Sequence, residues 1–183
     1  MTVPERITFA VETMDPRPGA RVLEIGCGGG VAVPLVHERI APDGVVVGVD
    51  RSATQIDRAR RRNRALLDAG TVELRTAAFP GLADGTRPFD LIFAICVPVF
   101  RSGDPAVPAA VVPLLRPGGE LWVFDEPPLA SATGPISMRI SAALSVAGFA
   151  IVDIVEHGRT VGVLATIGRR DSARLPEVHP IRT

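Results

Sequence analysis

The sequence predicts a doubly wound α/β domain, with a mostly parallel sheet and helices on both faces. Three observations lead there: short β-branched strands alternate with amphipathic helical stretches, glycine- and proline-rich turns separate them, and two apolar strands close the pattern as a hairpin. Ligands in such sheets bind at the carboxyl ends of the strands, where strand order reverses.

The elements follow in order. Residues 4–14 place Ile7, Ala10, Val11 and Met14 on one helical stripe behind Pro4. After the breaker at 15–19, Arg21–Ile25 is a short apolar strand that runs into the glycine cluster at 26–30, and a helix from about Val31 to Ile40 follows. Val45–Val49 is a continuous β-branched run ending at Asp50, as expected of a strand buried on both faces. Ser52 and Gln55 form a capping box that opens a helix to about Ala69. Strands are expected at 71–76 and 89–95. Asp104 and Pro105 start a helix that reaches about Arg116, where Pro117-Gly118-Gly119 stops it. A strand at 120–125, a helix at 135–147, and strands at 149–155 and 160–167 complete the pattern; the last two form the hairpin, so the final strand runs antiparallel. Residues 169–183 lack periodicity and read as a flexible tail, which leaves one domain over 1–168.

Composition narrows the function. All twenty basic residues are arginine, and they balance twenty acidic ones to a formal charge of zero. No global field therefore recruits nucleic acid or an anionic membrane. No apolar run approaches the length of a membrane span. Cys27 and Cys96 fall in different elements and no leader pattern opens the sequence, so a reduced, cytoplasmic setting is expected. A homodimer is left open.

A strand that ends in glycine and runs straight into a helix brings backbone close to a ligand, because no Cβ intervenes. The helix amino terminus beyond it favours negative charge. Asp50, twenty residues past Gly30 at the end of the neighbouring strand, supplies two acceptor oxygens suited to the hydroxyls of a ribose. Together these describe a nucleoside site. The dinucleotide fingerprint would need glycine at position 31, where Val31 stands.

Val22-Leu23-Glu24-Ile25-Gly26-Cys27-Gly28-Gly29-Gly30 resembles the first motif of class I S-adenosylmethionine-dependent methyltransferases. Val47–Ser52 resembles their second-strand motif, Phe89–Ile92 the start of the fourth strand, Leu114–Gly119 the turn before the fifth, and Ala147-Gly148-Phe149 the approach to the sixth. The resemblance covers about residues 4–168. It implies a seven-stranded sheet with an antiparallel last strand, and S-adenosylmethionine as cofactor. By the same resemblance, Glu24, Gly26, Cys27, Gly28 and Gly30 surround its amino acid and ribose portions, Asp50 grips the ribose hydroxyls and Arg51 lies beside the adenine. Ala77, Ala78, Phe79 and Ile95 complete the expected contacts. Many members carry a carboxylate for the adenine amino group where Ala77 stands; losing one such hydrogen bond weakens binding by about 1 kcal/mol.

A methyl group on a sulfonium is already activated, so transfer needs mainly an in-line nucleophile, and a base only if the acceptor must lose a proton. Cys96, Asp125 and Glu126 are candidates at the pocket mouth, each with a plain structural role as the competing reading. His37, His157 and His179 share no ligand spacing, so no metal is expected. Arg58, Arg60, Arg61, Arg62 and Arg64 form a basic run without aromatic residues to stack bases, which reads as a solvated face. Phe9, Val97, Val99 and Phe100 are expected to line an apolar acceptor pocket, which favours a small, partly hydrophobic methyl acceptor. Two alternatives share the fold: a non-catalytic cofactor-binding or interaction module, and an RNA methyltransferase. A nicotinamide-dependent oxidoreductase is a third, more distant one.

Overall fold

The computed structural model describes residues 2–82 and 87–166. The expected tail therefore lies outside the described residues.

Seven strands form one sheet: β1 (Arg21–Ile25), β2 (Val45–Asp50), β3 (Val72–Thr76), β4 (Phe89–Ile95), β5 (Leu115–Asp125), β6 (Ala150–His157) and β7 (Thr160–Thr166). Their order is β3-β2-β1-β4-β5-β7-β6. The first five pair in parallel, and β7 is antiparallel to both β5 and β6, as the hairpin predicted. Strand order reverses between β1 and β4, so the chain leaves a crevice at their carboxyl ends.

Successive strand residues face opposite sides, and each side has its own core. Leu23, Ile25, Val47, Val49, Ile92 and Leu121 face one layer, which is covered by Phe100, Val107, Ile136, Ile140 and Leu144. Val22, Val46, Leu91, Phe93 and Phe124 face the other, against Ala10 and Val11, Val33 and Val36, and Ile56 and Ala59. The second layer is built from α1 (Glu5–Met14), α2 (Ala32–Ile40) and α3 (Ala53–Arg62). The first uses α5 (Pro98–Arg101), α6 (Ala106–Ala109) and α7 (Thr133–Val146).

Two expected helices need correction. The helix expected from Ser52 to Ala69 is broken at Asn63 into α3 and α4 (Arg64–Asp68). Ser52 does cap it, accepting from the Gln55 amide at 3.3 Å. The break arises because the buried Asn63 side chain donates to Ala59 O at 2.9 Å and to Gly30 O at 3.0 Å, while its own backbone leaves helical geometry at φ −106°, ψ 26°. Short polar side chains divert a backbone in this way.

The helix expected over 104–116 shrinks to the single turn of α6 and a 3-10 turn at Val112–Leu114. Pro108 and Pro113 lack the amide hydrogens that a longer helix would need. The strand that follows begins at Leu115, opposite Phe89, and resumes regular pairing at Glu120 opposite Leu91, with Arg116–Gly119 forming a bulge between. The short α5 was not foreseen either. Its first residue is proline, which suits a helix start.

Phe93 is fully buried at the centre of β4. Phe93→Ala should cost about 3–5 kcal/mol, the range for large aromatic truncations in a core, measured as a lower denaturation midpoint in urea.

Candidate functional site

The parallel register that sets Ile25 opposite Val49 brings the turn after β1 against the end of β2. Gly26 N and Cys27 N both donate to Val49 O, at 2.8 and 3.0 Å. Gly28 N then donates to Asp50 Oδ2 at 2.9 Å, while Ser52 N donates to Asp50 Oδ1 at 2.8 Å. The Asp50 carboxylate is therefore held in one orientation by two backbone amides.

This corner opens on a cavity of about 270 Å3, lined by Ile25, Gly26, Val49, Asp50, Arg51, Ala77, Phe79, Cys96, Val97, Pro98 and Val99. Gly28, at φ +50°, adopts a backbone conformation that other residues rarely reach, and a Cβ built there would meet no protein atom within 4 Å. The outer face of the turn is thus open to a ligand. Phe79 stacks on Phe100, with ring centroids 5.7 Å apart, and so stiffens the apolar wall.

A larger cleft of about 730 Å3 lies at the opposite ends of the strands. It is walled by charged residues already engaged with one another, such as Arg116 and Asp90 at 2.6 Å.

Among the expected cofactor contacts, Gly26, Asp50, Arg51, Ala77 and Phe79 meet at the cavity, and Gly28 joins them through Asp50. The others do not line it. Glu24 is buried on the opposite face of β1 from Ile25. Cys27 is buried in the second core, and its sulfur lies 3.1 Å from where a Cβ on Gly48 would sit. Gly30 packs under Asn63, Ala78 is exposed, and Ile95 packs into the second core. Ile25 and Val49 line the cavity unforeseen, because strand-end apolar residues carry no sequence signal that separates lining from core.

Electrostatics divides the acids. Glu24 Oε2 is buried without a hydrogen-bond partner, and burial first and the Asp50 charge second push the Glu24 carboxyl from 4.5 up to about 8. Asp125, also buried, is instead gripped by Arg101, with Nε to Oδ2 at 2.7 Å and Nη2 to Oδ1 at 2.6 Å. Glu126 pairs with Arg6 at 3.3 Å and Arg159 at 3.5 Å. The Cys96 thiol is raised above its ordinary range, chiefly by burial and then by Asp125, which keeps it protonated and a poor nucleophile. Neither Asp125 nor Cys96 is therefore poised as a base. Phe9, expected in the acceptor pocket, is not among the cavity's lining; it stacks on His157 at 5.2 Å and meets the edge of Phe124 at 6.1 Å.

The family model for the methyltransferase domain matches residues 22–119, which span the glycine turn, Asp50 and the strands that meet at the cavity. This chain belongs to the methyltransferase-domain family, of the class I S-adenosylmethionine-dependent type. The chain is 34% identical over 136 residues to nocamycin O-methyltransferase of Saccharothrix syringae, covering 69% of this chain and 46% of that protein. It is 31% identical over 129 residues to protein-L-isoaspartate O-methyltransferase of Methanopyrus kandleri, covering 67% and 52%. The chain thus spans about half the length of either relative. Its fold is similar to that of a SAM-dependent methyltransferase from Aquifex aeolicus, with a TM-score of 0.73 over 90% of both chains at 19% identity. No helix among the described residues is long and apolar enough to cross a membrane.

Glu24 sets a pH dependence of stability. Between its ordinary value of 4.5 and about 8, the folded protein keeps a proton on Glu24 that the unfolded chain has released, so stability falls as pH rises through that window. Glu24→Gln, which has no proton to lose, should gain on the parent by about 1 kcal/mol per pH unit across that window in urea unfolding. Parallel curves for the two proteins would show that Glu24 is ionised in the fold.

Proposed function

We propose that this domain binds S-adenosylmethionine at the Asp50 corner and transfers its methyl group to a small, partly hydrophobic molecule, without a metal. The observation that carries the reading is the Gly28–Asp50 bond at 2.9 Å, which joins the glycine turn and the β2 carboxylate at one cavity.

The residues present fit the cofactor. Asp50 keeps free lone pairs on both oxygens after taking one backbone amide on each, so it can accept two ribose hydroxyls. Ala77 and Phe79 offer an apolar wall to a flat base, with Arg51 beside them. The open backbone of Gly28 lets the amino acid portion approach the turn. When bound, the cofactor supplies a methyl group on a positively charged sulfur, already activated for displacement.

What remains for the protein is positioning and exclusion of water. Val97, Pro98 and Val99 form the apolar side of the cavity and would hold the acceptor. The protonated Cys96 thiol adds a neutral surface there. With Asp125 held by Arg101, and Glu126 by Arg6 and Arg159, neither is free to serve as a base, which suits an acceptor that is nucleophilic as it arrives or passes its proton to solvent. Among the described residues, no three metal-ligating side chains converge. One relative is named for nocamycin and the other for a protein isoaspartate, so the acceptor class rests on this chain's own pocket.

Calorimetric titration with S-adenosylhomocysteine tests the cofactor reading. The parent should bind, and Asp50→Ala should weaken binding by at least about tenfold through loss of charge-assisted hydrogen bonds; equal affinities would overturn the assignment. Cys96→Ala should keep methyl transfer within about threefold of the parent. Incubation with radiolabelled cofactor and separate pools of small molecules, protein and RNA tests the acceptor, with label expected in the first pool. Label confined to protein or RNA would overturn the small-molecule assignment.

A further inference from the structure

Asn63 has no place in the sequence motifs, yet it is 3% exposed and reaches the glycine turn from the far side. Its Nδ2 donates to Gly30 O at 3.0 Å and to Ala59 O at 2.9 Å. Gly30 lies flat against this junction at φ +67°, and a Cβ there would stand 2.6 Å from Asn63 Nδ2 and 2.8 Å from the Ala59 Cβ. Gly30 N in turn donates to Cys27 O at 2.9 Å. The turn is therefore tied at its entrance by Val49 O, in its middle by Asp50, and at its exit by Asn63. Only the last tie comes from outside the two strands that frame the site.

A buried side chain that breaks a helix to satisfy a distant carbonyl has given up regular structure for a tertiary contact. Both hydrogens of the Asn63 amide face carbonyl oxygens. Aspartate has the same shape but no such donor, so it would set a carboxylate against two carbonyls.

We propose that Asn63 is a positioning residue for cofactor binding: by holding the Gly30 carbonyl, it fixes the turn whose Gly28 amide orients Asp50. The inference rests on the cofactor reading above. It adds a determinant of affinity that touches neither cavity nor ligand.

The test compares the full-length parent with Asn63→Asp, Asn63→Ala and the control Ala65→Gly. Ala65 is exposed on α4, so the control loosens the same helix without touching the turn. Dissociation constants for S-adenosylhomocysteine are measured well below every melting temperature, and amide exchange of Gly28–Gly30 is followed without ligand. Asn63→Asp should raise the dissociation constant about tenfold and Asn63→Ala about threefold, both with faster exchange in the turn, while the control stays within about twofold of the parent. Should Asn63→Asp fail to fold, Asn63→Ala decides. Variants that melt earlier yet bind and exchange like the parent would overturn the proposal and leave Asn63 a helix-junction residue only. If the parent itself does not bind S-adenosylhomocysteine, the cofactor reading falls, and the exchange measurement alone decides whether Asn63 holds the turn.

Discussion

The bond from the Gly28 amide to the Asp50 carboxylate organises the site, and it exists only because β1 and β2 lie side by side in parallel with Ile25 opposite Val49. In that register the Val49 carbonyl accepts two amides of the turn, and the next residue along the strand presents a charge to the third. A register shift of one residue would turn Asp50 to the other face of the sheet. Gly48 protects the arrangement from below: a Cβ there would stand 2.8 Å from Leu74 Cδ2 and 3.1 Å from Cys27 Sγ, so a larger residue would press on the turn's own anchor.

Around this corner, buried acids are handled in two ways. Glu24 is buried with one oxygen unpartnered and stays neutral, since a second anion beside Asp50 in a dry strand would be costly. Asp125 is instead met by Arg101 with two parallel hydrogen bonds. Among the described residues, Asp50 alone combines carboxylate oxygens with a place on the cavity wall. A site that fixes one carboxylate and neutralises or pairs the others suits a reaction whose electrophile arrives already activated.

Much of the fold was legible because local pattern and tertiary demand agree. The β-branched run Val45–Val49 is buried, Ser52 caps its helix, and the apolar pair of strands after Gly148 is a hairpin. The Gly26–Gly30 turn and Asp50 were legible for a related reason. Each sits at a strand end, where spacing along the chain translates into a position in space. Prediction failed at 104–116, where capping residues signalled a helix start but Pro108 and Pro113 removed the donors that would extend it. At Asn63, the helical periodicity of 53–69 carried no mark of a carbonyl on another segment waiting to be satisfied.

The sequence by itself determined the class of fold, the glycine turn, the carboxylate that faces it and the absence of a global charge, since all of these follow from residue type and spacing along neighbouring strands. Only the tertiary structure decided that Asn63 ties off the turn, that Arg101 disarms Asp125, that Phe9 closes against His157 rather than a ligand, and that Ile95 turns away from the cavity. The physical reason is that such contacts join segments 24 to 148 residues apart. A side chain's partner at that distance is chosen by packing and by which buried polar group needs a hydrogen bond, and neither leaves a periodic trace in the chain.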